Sequence, residues 1–195
     1  MISSDNNIKV VWEKFQEGDK EAFATLYNLH IDSLYRYGTK LSGGEDLVKD
    51  AIQEVFLDLY MKRKKNRTNP ENLKYYLILA LKRNLIKKLV RNRKLVNNDI
   101  NNELLFEPEY SIEKTIVDRE EDIEIKQKVS DALSQLSPKQ KEVVYLRFNE
   151  SLDYKDIAQL LNISIESVRK QVYRALKSVR ETLGTKTFIF WLLFS

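Results

Sequence analysis

The 195-residue sequence contains no cysteine, which excludes a disulfide framework and any thiolate metal site. It has one histidine, His30, too little for a zinc centre or a histidine-based catalytic relay, and the expectation for it is a helix-face residue near a packing edge. Three prolines and five glycines alongside 32% charged residues describe helices rather than a sandwich or barrel. The opening MISSDNNIKV lacks the basic patch and apolar stretch of a secretory signal, so the expected location is cytoplasmic. Residues 188–194 are strongly apolar, but the run is far shorter than the roughly 20 residues that cross a bilayer, and no stable membrane insertion is expected. Glu13, Glu17, Asp19 and Glu21 surround a helix break with no convergent partner; they read as solvated helix-end acids rather than metal ligands. Nothing here supplies a catalytic group, a metal site or a cofactor site.

What the sequence does have is charge, unevenly spread. Residues 62–94 carry thirteen basic side chains against one acid, Glu71, whereas residues 95–122 carry nine acids against Lys114 and Arg119. Such polarity points to a partner or to an interdomain role.

The hydrophobic pattern predicts an all-α chain. Val11, Phe15, Ala22, Phe23, Leu26, Tyr27, Leu34 and Tyr35 recur mainly at three- and four-residue steps, broken at Gly18-Asp19 where two helices meet. After Ser42-Gly43-Gly44, Leu47, Ala51, Val55 and Leu59 form one stripe, widened by Val48, Ile52 and Phe56. RKKNRTNPEN interrupts the pattern, and a fourth helix over about 73–94 starts apolar and ends basic. Periodicity is lost from about residue 95 to 110, which reads as linker. It returns with Val129, Ala132, Leu133 and Leu136, stops at Ser137, and resumes in a helix that Pro138 opens and Ser137 caps.

SLDYKDIAQLLNISIESVRKQVYRALKSVRETL has the layout of a helix-turn-helix. The first helix brings Ile157, Ala158 and Leu161 to one face, and Ala158 is small where the second helix must cross. Asn162 tolerates the left-handed backbone a tight turn needs, and Ser164 caps the second helix. Its inward side is predicted as Ile165, Val168, Val172 and Leu176. That leaves Glu166, Ser167, Arg169, Lys170, Gln171, Tyr173 and Arg174 outward, where the early members reach base edges and the later arginine reaches phosphate. The competing reading is a plain helical hairpin with a solvated basic face. A second basic site is ALKRNLIKKLVRNRK, whose cations repel one another unless an anion neutralises them, with Tyr75 and Tyr76 at its start. The alternative there is core tyrosines and a solvated surface.

Three stretches together resemble one family. QEGDKEAFATLYNLHIDSLYRYG is similar to the opening helices of extracytoplasmic-function sigma factors, DLVKDAIQEVFLDLY to their region 2.2, and LSPKQKEVVYLRFNESLDYKDIAQLLNIS to region 4. The resemblance spans residues 12–183 in the expected order. It implies two small helical domains: region 2 over 8–94, an acidic linker over 95–120, region 4 over 121–184, and an apolar tail over 185–195. It also implies a promoter reader that catalyses nothing and binds core RNA polymerase, promoter DNA and an anti-sigma factor. Asp50, Gln53 and Glu54 fall on the DxxQE pattern that docks on the clamp helices of the beta-prime subunit, with region 4 meeting the beta flap. The loop over 64–72 and the helix after it take the place that opens the minus-ten element and captures a flipped base, with Arg67, Asn69, Tyr76, Lys82, Arg83, Asn84, Lys87, Lys88 and Arg91 as candidate contacts. Glu166, Ser167, Arg169, Lys170, Gln171 and Arg174 become the minus-thirty-five set. Two features depart from the family pattern: where many members place an aspartate after an arginine-asparagine pair, this chain has Lys87-Lys88 after Arg83-Asn84, and the apolar tail is not required.

Other functions compete. The helix-turn-helix alone suits an ordinary DNA-binding regulator with a ligand or phosphoacceptor domain, but the N-terminal half lacks the strand-helix alternation of a receiver. A small nuclease or recombinase would need the carboxylates near Gly18 to converge. For the tail, packing on an apolar groove of the protein is expected first, ahead of contact with a membrane-tethered anti-sigma factor or with the membrane itself.

Overall fold

The computed structural model describes residues 2–42, 44–66, 72–95, 128 and 130–183. The chain divides into two units, Met1–Leu104 and Leu105–Ser195. Among the described residues every regular element is helical. The acidic linker expected over 95–120 lies outside the described residues apart from Leu95, and the tail over 185–195 lies wholly outside them.

The first unit contains α1 (Ile2–Glu17), α2 (Lys20–Ser42), α3 (Glu45–Met61), a single 3-10 turn (Arg63–Lys65) and α4 (Leu73–Leu95). The break between α1 and α2 falls where expected. Gly18 adopts φ +102, a conformation closed to most side chains. Asp19 then caps α2, its Oδ1 accepting from the backbone of Glu21 at 2.7 Å and of Ala22 at 2.9 Å. That role accounts for the one acid of the Glu13–Glu21 group nearest the corner.

Helices α2, α3 and α4 enclose the core. Leu26, Leu34, Tyr37, Val48, Ala51, Leu59, Leu73, Leu77, Ile78, Leu81 and Leu85 are all fully or almost fully buried. Trp12 and Phe15 of α1 close one end, where Phe15 stacks on Phe23 at 5.9 Å and Tyr60 meets Phe23 edge-on at 5.2 Å. Gly38 lets α2 approach α3 closely: a Cβ there would lie 2.7 Å from Val48 Cγ1. His30 is buried on α2, consistent with a packing position.

The second unit has α5 (Pro138–Val144), which widens into a π turn (Tyr145–Asn149), then α6 (Tyr154–Leu161) and α7 (Ile165–Leu183). Ser137 and Gln140 form a reciprocal capping box at the start of α5, with Pro138 in the first turn. The π turn brings Tyr145 Oη within 2.8 Å of Glu150 Oε1, a buried hydrogen bond that partners a buried acid. Asp153 caps α6 through the Asp156 backbone N–H at 2.7 Å. Ala132, Leu133, Leu136, Val144, Ala175 and Val179 form one buried cluster; Val143, Leu146, Ile157, Ala158, Val168 and Val172 are buried as well.

The phase of α7 differs from the expectation. Its inward residues are Val168, Val172, Ala175 and Val179; Ile165 is 42% exposed and Leu176 only half-buried. Ile165 sits in the first turn, beside a surface hollow it shares with Lys155, Ala158 and Gln159 of α6, so its side chain is only partly covered. On α6 Ile157 and Ala158 are buried as expected, but Leu160 joins them and Leu161 is only half-buried.

Candidate nucleic-acid interface and the adjoining docking face

In the second unit the turn between α6 and α7 has the expected chemistry. Asn162 takes the left-handed conformation at φ 52, ψ 48, and Ser164 Oγ accepts from the Ser167 backbone N–H at 3.1 Å. With Val168 and Val172 fixed inward, Glu166, Arg169, Lys170, Tyr173 and Arg174 are exposed, whereas Ser167 and Gln171 are half-buried at the edge of that face. Lys170 and Glu166 pair at 2.8 Å one turn apart, so part of the lysine's charge is already answered.

Arg169 leans over the ring of Tyr154 at 5.8 Å, and Arg147 lies over the same ring at 4.9 Å while donating to the Leu152 carbonyl at 2.9 Å. One aromatic residue at the head of α6 therefore steadies a cation on α7 and another from the π turn. Sequence reasoning passed over Tyr154 and Arg147; the only signal was a tyrosine at the first position of the leading helix. Nearby, burial holds the Asp156 carboxyl above its ordinary range, with Asp153 adding to the effect.

In the first unit the predicted residues separate into faces. Asp50, Gln53 and Glu54 are exposed together on α3, as i, i+3, i+4 spacing requires. Leu57 and Met61, 61% and 71% exposed, continue that face toward the end of the helix. Their signal was that both stand off the buried stripe of α3. On α4, Arg83, Lys87 and Arg91 are exposed at successive four-residue steps, with Tyr76 and Lys82 half-buried. Asn84 and Lys88 take the flank toward α3: Asn84 Nδ2 donates to Glu54 Oε2 at 2.7 Å and Lys88 Nζ to Oε1 at 2.6 Å. These donors, Lys88 first and then Asn84, hold the Glu54 carboxyl below the usual glutamate range.

Arg67 and Asn69 lie outside the described residues. The turn leading to them is fastened to the α1–α2 corner. Arg63 stacks over Tyr60 at 4.3 Å, donates to the Tyr60 carbonyl at 3.0 Å and lies against Gly18, and Gln16 Nε2 donates to the Asn66 carbonyl at 2.9 Å. Among the described residues no group of three or more histidines, aspartates or glutamates is placed to hold a metal ion, and no helix is long and apolar enough to cross a membrane.

Comparison with known proteins matches both units to one family. The family model for sigma-70 region 2 matches residues 26–95, and that for sigma-70 region 4 matches residues 126–179. Similar curated proteins include the RNA polymerase sigma factor CarQ of Myxococcus xanthus, 24% identical over 88% of this chain and 95% of its own length. The ECF RNA polymerase sigma-E factor of Haemophilus influenzae is 25% identical over 88% of this chain and 92% of its own. SigV of Bacillus subtilis is 27% identical over 86% and 94%. Among solved structures, the sigma factor RpoE in complex with the anti-sigma factor NepR from Bartonella quintana superposes with a TM-score of 0.54 at 21% identity, covering 84% of this chain and 97% of that one. CnrH in complex with the cytosolic domain of CnrY gives 0.54 at 18% identity, covering 89% and 95%; both share the fold. The ordered pair of regions on an all-helical chain decides against the free-standing regulator and the nuclease: the chain belongs to the sigma-70 family and is a sigma factor of the extracytoplasmic-function type, directing transcription initiation by RNA polymerase.

Proposed function

We propose that the first unit docks on the polymerase clamp through Asp50, Gln53 and Glu54 of α3, extended by the exposed Leu57 and Met61, and that α4 holds minus-ten DNA. In this reading Tyr76 offers a stacking surface, and Lys82, Arg83, Lys87 and Arg91 contact backbone phosphates. Arg67 and Asn69 belong to the base-capture loop. The second unit reads the minus-thirty-five element with α7 in the major groove. Glu166, Ser167, Arg169, Lys170 and Gln171 lie toward the bases, Arg174 toward phosphate, and the unit rests on the beta flap. Residues 8–94 and 121–184 are the working boundaries of the two regions.

The observation that carries this reading is the arrangement of α3 and α4: an acidic and apolar face on one helix adjoins a basic face on the next. A cytoplasmic protein that must hold both a polymerase and DNA needs that adjacency. An anti-sigma protein is proposed as a further partner, on the precedent of RpoE in complex with NepR. The test is co-purification with core polymerase followed by run-off transcription from a cognate promoter. Asp50→Lys is expected to abolish both, and Arg174→Ala to weaken only the second. Core binding unaffected by Asp50→Lys and Glu54→Lys together would refute the assignment of α3.

A further inference from the structure

Glu54 on α3 and Lys88 on α4 are 34 residues apart in sequence and joined in space. Each carboxylate oxygen has its own donor: Lys88 Nζ is 2.6 Å from Oε1 and Asn84 Nδ2 is 2.7 Å from Oε2. The lysine side chain is the more covered of the ion pair, 23% exposed against 54% for the glutamate. Its stem therefore lies in the seam between helices while the carboxylate stays at the rim. Among the described residues the buried Asn84 amide oxygen has no hydrogen-bond partner, a costly arrangement that is compensated by the amide nitrogen's bond to Glu54. Turning the amide over would set that oxygen against a carboxylate.

We propose that Asn84 and Lys88 are positioning residues of the polymerase-docking face and not DNA contacts. They hold the Glu54 carboxylate beside Asp50 and Gln53, in the orientation in which a donor on the polymerase receives it. The inference rests on the proposed docking role of α3. A loose glutamate loses rotamer freedom when it docks; one already held by two donors has lost that freedom in the free protein and binds with a smaller entropic penalty. By the same geometry Lys88 spends its charge on Glu54, which leaves the phosphate contacts of α4 to Lys82, Arg83, Lys87 and Arg91.

The experiment uses the full chain. Affinity for core polymerase is measured for Lys88→Met, Asn84→Ala, Lys88→Arg and Glu54→Gln; the salt dependence of promoter binding is then measured on holoenzyme formed at saturating core. Lys88→Met and Asn84→Ala are expected to weaken core binding about two- to fivefold, the range of a surface ion pair. Lys88→Arg is expected to restore it, with the salt slope of promoter binding unchanged throughout. Full core affinity in Lys88→Met, or a promoter salt slope reduced by about one, the mark of a lost phosphate contact, would overturn the proposal while leaving α3 docking intact. Full core affinity in Glu54→Gln would remove the docking reading itself. If Lys88→Met also lowers the melting temperature, the exchanged pair Glu54→Lys with Lys88→Glu separates folding from docking. It keeps an ion pair but moves the acid to α4, so normal core affinity there would likewise overturn the proposal.

Discussion

Replacing Gly38 by alanine tests how α3 is seated. The added Cβ would lie 2.7 Å from Val48 Cγ1, 3.3 Å from Cγ2 and 3.4 Å from Leu81 Cδ2, against about 3.5–4.0 Å for relaxed carbon contacts. Val48 is β-branched and lies in the first turn of α3, where its backbone N–H bonds the Gly44 carbonyl, so its side chain has few other rotamers to take, and it is fully buried. Relief must come from α2 and α3 moving apart. Overpacking of this kind costs about 1–3 kcal/mol, and alanine returns about 1 kcal/mol through better helix propensity, so the net loss expected is about 0–2 kcal/mol. The two units need not unfold together. The first can be followed by the fluorescence of the buried Trp12 in a Trp191→Phe background, with urea as denaturant and a lowered midpoint at unchanged slope as the expected result. The decisive comparison is Gly38→Ala made in a Val48→Ala protein, where the obstructing methyls are gone and the change should be neutral or stabilising. An equal penalty in both backgrounds, or none in either, would refute the close crossing. Core binding should fall with stability, because separation of α3 from its neighbours also strains the 2.6 Å Glu54–Lys88 contact.

Asn162 sits at φ 52, ψ 48, so Asn162→Gly should be near neutral while Asn162→Ala costs about 1 kcal/mol of second-unit stability, measured by thermal melting; equal melting points would contradict a conformational requirement. Tyr154→Leu removes the ring under Arg169 and Arg147, a loss of about 0.5–1 kcal/mol per contact; minus-thirty-five DNA binding should weaken a few-fold, with Tyr154→Phe close to wild type, and a Leu variant that binds normally would show the stacking to be incidental. For Glu54, whose carboxyl is held below its ordinary value of 4.5, the sign is that of a depressed acid. Its stabilisation is present above the unfolded glutamate range and is lost as pH falls through the lower folded value. Because the side chain is more than half exposed, the contribution is at most that of a surface pair, about 0–1 kcal/mol. The melting temperatures of wild type and Glu54→Gln should therefore differ near neutrality and converge in acid; a gap that persists below the folded range would mean the pair is not its source.

Backbone signals were the legible part of this sequence. Gly18, Ser137, Asn162 and Ser164 each act through one or two neighbouring residues, so their residue types suffice to place a helix start or a turn. Helix phase was less secure. The apolar residues of α7 admit an inward face with Ile165 and Leu176 or one with Ala175 and Val179, and the choice depends on where α6 crosses, a tertiary fact. The division of α4 was not legible at all. Arg83, Asn84, Lys87 and Lys88 are consecutive members of one basic pattern, and only the position of Glu54, on another helix, decides which of them turn toward α3. Tyr154 and Arg147 escaped for the same reason: the ring of Tyr154 meets Arg147 from the π turn and Arg169 from α7, each on a different element.

The pairing of individual cations bears on how strongly the protein holds DNA. Counterion release scales with phosphate contacts, and hence with cations free to leave their internal partners. A count of thirteen basic residues over 62–94 overstates that number. Lys62 is tied to Asp58 at 2.6 Å and Lys88 to Glu54 at 2.6 Å, and in the second unit Lys170 answers Glu166. An arginine lying on an aromatic ring keeps its full charge and most of its donors, so Arg169 remains available to a base or phosphate in a way a carboxylate-bound lysine does not. Lys62 and Lys88 thus drop out of the electrostatic footprint, while the exposed row Arg83, Lys87 and Arg91 on α4 and Arg169 and Arg174 on α7 keep their charge for DNA. Neutralising members of that row should lower the salt dependence of promoter binding, whereas neutralising Lys62 or Lys88 should leave it nearly unchanged. The linear density of charge along the sequence cannot make that distinction, because it is set by which carboxylates the fold has already brought within reach.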